Sequence, residues 1–155
     1  MFVLLVLIIS FGVSCGFFEL ISGNPNLLFS GNIAMCIMLL FTAIGHFKFP
    51  DGMAKMIPSF IPYKKELVFI TGILEVLAGF ALLFPQTRYF AGLFLLLFFI
   101  CILPANIYAA AHHLDYQKGT YDGNGLKYLW FRVPMQIFLI AWVWFFAIEN
   151  STYTF

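Results

Sequence analysis

Long uninterrupted apolar stretches constrain the fold of this chain more than any other feature. A helix needs roughly 20 residues to cross a hydrocarbon core about 30 Å thick, because lipid offers the backbone no hydrogen-bond partner. Stretches of this kind are continuous rather than alternating, which favours helices over membrane-barrel strands. They cover approximately residues 2–18, 29–47, 67–84, 89–111 and 129–148. The sequence therefore predicts an all-α, polytopic membrane helical bundle of about five transmembrane helices in a single domain, residues 1–155.

Composition excludes the main alternatives. The chain is 63% apolar and 10% charged, whereas soluble domains are roughly 45–50% apolar and about 25% charged. A water-soluble fold could not bury so much apolar surface. The net charge of +1 gives no basic patch for nucleic acid, since phosphate neutralisation requires clustered lysines and arginines. We therefore expect this protein to lie in the lipid bilayer and not to bind nucleic acid.

The positions of the basic residues predict an orientation, because cytoplasmic loops carry an excess of lysine and arginine. Only Arg88 lies beside the first or third connection. The basic residues in or beside the second and fourth connections are Lys48, Lys55, Lys64, Lys65, Lys118, Lys127 and Arg132. We expect those two connections on the cytoplasmic side of a plasma or inner membrane, the amino terminus inside, and the tail 149–155 outside. Segment 49–62, where apolar residues alternate with charged ones, is predicted to lie in the membrane interface.

Five polar residues within or at the ends of the predicted spans are candidates for a ligand site or a polar cluster. They are His46, Glu75, Asn106, Arg132 and Gln136. Such groups are costly in a membrane and usually face the bundle interior. In the predicted orientation all five lie in the cytoplasmic half, which indicates one polar pocket opening toward that leaflet. The alternative is a Glu75–Arg132 pair that only joins two helices.

Two glycines predict which side of the third span packs on another helix. Gly72 and Gly79 lie three residues before and four residues after Glu75. Small residues at this spacing form a stripe along which another backbone can approach closely. The Glu75 carboxylate on the same side is therefore predicted to point toward protein.

Other motifs are less specific. His112, His113 and Asp115 follow one another closely, but adjacent histidines point to different sides of a helix, so no metal site is predicted. A disulfide between Cys15 and Cys36 is one open alternative, since both lie at a similar depth. No catalytic triad or nucleotide-binding motif is present. The catalytic residues, and whether the protein is an enzyme, are left open.

Five short motifs together resemble the DoxX-like integral membrane protein family over roughly residues 30–148. They are Gly45-His46-Phe47; Met56-Ile57-Pro58 with Ile61-Pro62; Gly72-x-x-Glu75-Val76 with Gly79, Pro85 and Arg88; Pro104-Ala105-Asn106-Ile107-Tyr108; and Arg132-Val133-Pro134-x-Gln136. The resemblance implies a four-helix membrane core, to which segment 2–18 adds an N-terminal helix. Relatives are associated with quinone-linked oxidation, thiol and oxidative-stress complexes or resistance to quinone-type compounds, and more distant ones resemble chaperones.

The residues and the resemblance together lead to one hypothesis and one alternative. In the first, the five polar residues bind a small apolar or quinone-like ligand: Arg132 and Asn106 hydrogen-bond its oxygens, and Glu75 or His46 handles a proton. A redox accessory role would then involve a membrane or redox protein partner. In the alternative, the chain is a membrane assembly factor or chaperone whose polar cluster is purely structural.

Overall fold

The computed structural model describes residues 2–151, which are almost entirely helical, with 79% helix and no strand in this range. The helices are α1 (Phe2–Ser22), α2 (Leu27–Lys48), α3 (Pro50–Ala54), α4 (Lys64–Ala81), α5 (Pro85–Ala111) and α6 (Lys127–Val143). A π-helical turn, Trp144–Ile148, and a 3-10 turn, Glu149–Ser151, continue α6. Met1 and residues 152–155, which include most of the tail predicted to be extracytoplasmic, lie outside the described residues.

Four of the helices in this range are long and apolar enough to span a membrane: α1, α2, α5 and α6 with its π-helical turn. The remaining long helix, α4, has 18 residues and begins with the charged run Lys64, Lys65 and Glu66. It starts three residues before the predicted span and ends at Ala81, just before Pro85. The short helix α3 lies within the segment predicted to be interfacial.

The long helices form one bundle in which α2 packs against both α1 and α4. Helix α4 also contacts α5, and α5 contacts α6 and the π-helical turn, which returns to α2. The centre of the bundle is apolar and fully buried, with Met35, Met38, Leu39, Leu82, Leu95 and Val143 at no more than 1% exposure. Large apolar side chains cover the outside as well, including Phe90 at 71% exposure and Leu97 at 62%. An all-round apolar surface of this kind fits a lipid environment.

Glycines set the closest helix crossings. A Cβ built at Gly72 would lie 2.7 Å from the Cβ of His46, and one at Gly79 would lie 3.5 Å from the carbonyl oxygen of Cys36. Helices α2 and α4 therefore run antiparallel in close contact. The stripe of small residues on α4 faces α2.

Hydrogen bonds join the start of α2 to the end of α6. The Asn32 side-chain amide donates to the Phe146 carbonyl at 2.9 Å, and the Trp142 indole donates to the Gly31 carbonyl at 3.1 Å. Helix α1 covers this junction, where the rings of Phe11 and Trp142 meet edge to face at 5.2 Å. These contacts place α1 outside a ring formed by α2, α4, α5 and α6.

Candidate functional site: a buried polar layer

The five candidate residues, which we call the polar layer, lie at one end of the helix ring. Asn32 contacts Phe146 at the other end, and a Cβ at Gly92 would lie 2.9 Å from Ile148 in the same region. His46 lies 14 residues after Asn32, Asn106 lies 14 residues after Gly92, and Arg132 lies 14 residues before Phe146. Each separation corresponds to roughly 21 Å at about 1.5 Å per residue. These three residues therefore lie at one level of the bundle, with Glu75 and Gln136 about one helical turn away. This end also carries the seven basic residues predicted to be cytoplasmic.

Helices α2 and α4 contribute a buried histidine–glutamate pair. His46 Nε2 lies 3.3 Å from Glu75 Oε1, and both residues are 5% exposed. The Thr42 hydroxyl donates to the other carboxylate oxygen of Glu75 at 2.9 Å. Gly72 makes this arrangement possible, because its missing side chain lets the backbone of His46 approach α4.

The partners of His46 determine where one of its protons lies. Nδ1 is 2.9 Å from the Val68 carbonyl, and a carbonyl oxygen can only accept, so Nδ1 carries a hydrogen. Nε2 then faces the Glu75 carboxyl group. A single proton between the two groups would leave the pair without net charge, the form that an apolar interior tolerates best.

Helices α5 and α6 contribute a second group, built around Asn106. The Arg132 Nε donates to Asn106 Oδ1 at 3.3 Å, and the guanidinium also lies 5.5 Å from the centre of the Tyr128 ring. Asn106 is completely buried, yet its Nδ2 has no hydrogen-bond partner. An unpaired buried amide is rare in folded proteins and is costly, about 1–3 kcal/mol.

Gln136, one turn further along α6, is tied to the backbone of α5. Its Nε2 donates to the Phe99 carbonyl at 2.6 Å, and the side chain is buried. Both helices contain a proline close to the layer, Pro104 in α5 and Pro134 in α6. A proline inside a helix removes one backbone hydrogen bond, so each of these helices lacks one such bond close to the polar side chains.

The alternative Glu75–Arg132 ion pair is absent from the structure. Among residues 2–151, Glu75 pairs with His46, and Arg132 bonds to Asn106 instead. The reason is the order of the helices in the ring: α4 packs on α2 and α5, whereas α6 packs on α5. Depth along the membrane, which the sequence predicts, does not determine which helices are neighbours.

Two surface grooves lie elsewhere, and neither is lined by a residue of the polar layer. One, of about 300 Å³, is apolar and lies between α4 and α5 around Ala78 and Ala91. The other, of about 250 Å³, is polar and lies between α3 and the loop that follows α5. The layer itself is closed in this conformation, with only Arg132 partly exposed.

Several buried or half-buried polar groups were not among the five candidate site residues predicted from the sequence. Asn32 is 1% exposed and fixes α2 to the π-helical turn, and Arg88 is 7% exposed with its Nε donating to the Leu82 carbonyl at 3.0 Å. Thr42 and Thr71, which contact Glu75 and His46, were also missed. Their spacing of four residues from His46 and Glu75 along α2 and α4 was the available signal, since residues at i and i+4 share a helix face.

The remaining motifs form no site in the described part of the chain. Cys15, Cys36 and Cys101 are all free, so Cys15 and Cys36 are not bridged. No group of three potential metal ligands is found in residues 2–151. In the loop after α5, a hydrogen bond from the Thr120 hydroxyl lowers the pKa of Asp122.

The fold and this layer define the class of the protein: an α-helical bundle with four helices of membrane-spanning length and a polar layer buried at one end. Residues 35–147 match the family described as Domain of unknown function (DUF8561), and the chain belongs to this family. The match includes all five residues of the polar layer and excludes α1. No curated protein and no solved structure matches the chain.

Proposed function

We propose that this protein binds a small, mainly apolar ligand carrying carbonyl oxygens, of the quinone type, at the polar layer. The observation that carries the proposal is the unpaired Nδ2 of fully buried Asn106 beside the Arg132 guanidinium. Both groups are hydrogen-bond donors, and they call for a ligand whose polar atoms accept. A carbonyl oxygen on an apolar ring has this chemistry, and the ring would suit the surrounding lipid and aromatic side chains.

The histidine–glutamate pair gives the layer a second capability. Nε2 of His46 lies 3.3 Å from Oε1 of Glu75, and a pair of this kind could give up or accept a proton when a bound ligand changes its own charge. Electrons for a redox accessory role would come from a partner protein. The resemblance of five short motifs to DoxX-like proteins, a family associated with quinones, favours the same proposal.

Retention of quinones by the purified protein tests this proposal. Asn106→Leu removes the unpaired amide, so we expect the amount of bound quinone, measured by mass spectrometry of extracted lipids, to fall about tenfold, as for the loss of one or two hydrogen bonds. Thermal stability should change little, because removing an unsatisfied buried group offsets the loss of the Arg132 contact.

Gln136→Leu, which removes a satisfied hydrogen bond to Phe99, is the comparison for the effect on stability. It should lower the free energy of unfolding by about 1 kcal/mol. Equal quinone content in the wild type and Asn106→Leu would contradict the proposal. So would a wild-type protein that retains no quinone and whose melting temperature and tryptophan fluorescence do not respond to an added short-chain benzoquinone.

We further propose that α4 is a fifth membrane span and that the polar layer lies in the cytoplasmic half of a plasma or inner membrane. Beyond its charged first turn, α4 exposes Ile70, Ile73 and Leu77 on the outside of the bundle. Seven basic residues lie at the polar-layer end, and such an excess faces the cytoplasm.

Reporter fusions after residue 155 should then be active outside the cytoplasm, and fusions after residue 60 should not be. The reverse result would overturn this orientation.

The second candidate function is a membrane assembly factor or chaperone. The apolar groove between α4 and α5, with small side chains such as Ala78, Ala81 and Ala91 in its wall, favours it, because such a surface admits another helix at close range. In that case Asn106→Leu would have no effect on bound lipids or quinones, and substitutions in the groove such as Ala78→Phe would reduce recovery of a partner protein.

A further inference from the structure

A polar groove lies at the same end of the bundle as the polar layer but outside it. It has a volume of about 250 Å³ and is formed by the end of α2, by α3 and by the loop that follows α5. Its lining residues include Lys48, Lys55 and Lys118, with Phe49 and Tyr116 between them. Three cations therefore converge on a cavity at the predicted membrane interface.

The walls of this groove are held in place by tight contacts. A Cβ at Gly52 would collide with the backbone carbonyl of Tyr116, so α3 and the loop touch directly. Lys55 Nζ donates to the Gly119 carbonyl at 2.7 Å, which fixes its ammonium group across the groove. The Lys55 ammonium group is thus positioned by the fold, while Lys48 and Lys118 are exposed at the edge of the groove.

The positive charge of the groove is not neutralised by the protein. Asp51, also in the lining, pairs with Lys65 outside it at 2.5 Å, and Lys118 lies 3.8 Å from Asp115. Within residues 2–151, neither Lys48 nor Lys55 forms an ion pair. Their ammonium groups lie over the rings of Phe49 and Tyr121, at 5.4 and 5.8 Å from the ring centres. These contacts leave both positive charges without a neighbouring anion.

We propose that this groove binds the phosphate headgroup of an anionic phospholipid. Basic pockets on the cytoplasmic side of membrane helices recognise such headgroups, and each lysine near the surface contributes about 1 kcal/mol. A groove of about 250 Å³ is smaller than the roughly 300–1,000 Å³ that encloses a whole drug-sized ligand. It suits a headgroup whose acyl chains stay in the bilayer beside exposed apolar residues such as Phe47.

The test uses the full chain in nanodiscs that contain phosphatidylglycerol and phosphatidylcholine, with retained lipids measured by native mass spectrometry. The wild type should retain phosphatidylglycerol preferentially. Lys48→Gln should weaken this preference about fivefold, and Lys48→Gln with Lys55→Gln should abolish it. Lys48 donates no hydrogen bond within the described residues, so Lys48→Gln should leave the helix content unchanged. The single variant therefore still tests the proposal if the double variant does not fold.

Lys127→Gln is the matched control, since it removes the same charge at the same end of the bundle but outside the groove. An equal loss of preference in Lys127→Gln would overturn the proposal, because the effect would then be general charge attraction. Unchanged preference in Lys48→Gln would overturn it as well. Inorganic phosphate at millimolar concentration should not displace the lipid; complete displacement would show that the groove takes free phosphate instead of a headgroup. None of these results depends on quinone binding.

Discussion

Glu75→Leu is expected to lower the free energy of unfolding by about 3 kcal/mol, the largest single effect we predict in the polar layer. The substitution leaves the Nε2 of His46 buried without its partner, and breaking a buried pair from one side costs far more than the pair itself contributes. Unfolding in detergent micelles, followed by circular dichroism against urea or SDS, measures this change.

A double-mutant cycle measures the interaction energy between His46 and Glu75 separately from their contacts with other residues. His46→Leu should be nearly as destabilising as Glu75→Leu, and the double variant should be less destabilised than the sum by about 1–3 kcal/mol, because it leaves no unpaired partner. Glu66→Gln, on the exposed start of α4, is the control and should change stability by less than about 0.5 kcal/mol. Additive effects at His46 and Glu75 would show that the two side chains do not interact.

Gly72→Leu is expected to destabilise the bundle by about 3 kcal/mol, at the upper end of the range for overpacked cores. Even a Cβ at this position would lie 2.7 Å from the Cβ of His46, so α2 and α4 must separate. Separation would also break the contact between His46 and Glu75. The same unfolding measurement applies, and cross-linking between cysteines introduced on the two helices reports the spacing directly.

Two other glycines provide matched controls for Gly72. Nothing lies within 4 Å of a Cβ at Gly45, and a Cβ at Gly79 meets only ordinary contacts at 3.5 Å. Gly45→Ala should therefore stabilise α2 by up to about 1 kcal/mol through helix propensity. Gly79→Ala should be close to neutral. If Gly72→Leu were as well tolerated as these changes, the α2–α4 crossing described above would be wrong.

The level of the candidate site residues along the bundle could be predicted from the sequence, but the pairing between them could not. A helix converts residue spacing into a fixed distance, about 1.5 Å per residue. The shared level of His46, Asn106 and Arg132 was therefore predictable from their positions in the sequence and the direction of each span. The partner of Glu75 was not. Arg132 lies at the same end of the bundle as Glu75, but α6 packs next to α5 and not next to α4. The partner of the Glu75 carboxyl group is therefore the imidazole of His46 and not the guanidinium of Arg132.

The sequence by itself determined the helical class, the lengths of the apolar segments, the end of the bundle that carries the basic residues, and the position of each polar side chain along its helix. These properties are local, because a 3.6-residue period and a hydrophobic length act within one helix. Only the tertiary structure decided which helices are neighbours and how each is rotated, and hence that His46 pairs with Glu75, that the Asn106 amide is left unpaired, and that Lys48 and Lys55 meet across a groove. Those outcomes depend on side chains far apart in the chain coming within hydrogen-bond distance, and no single segment carries that information.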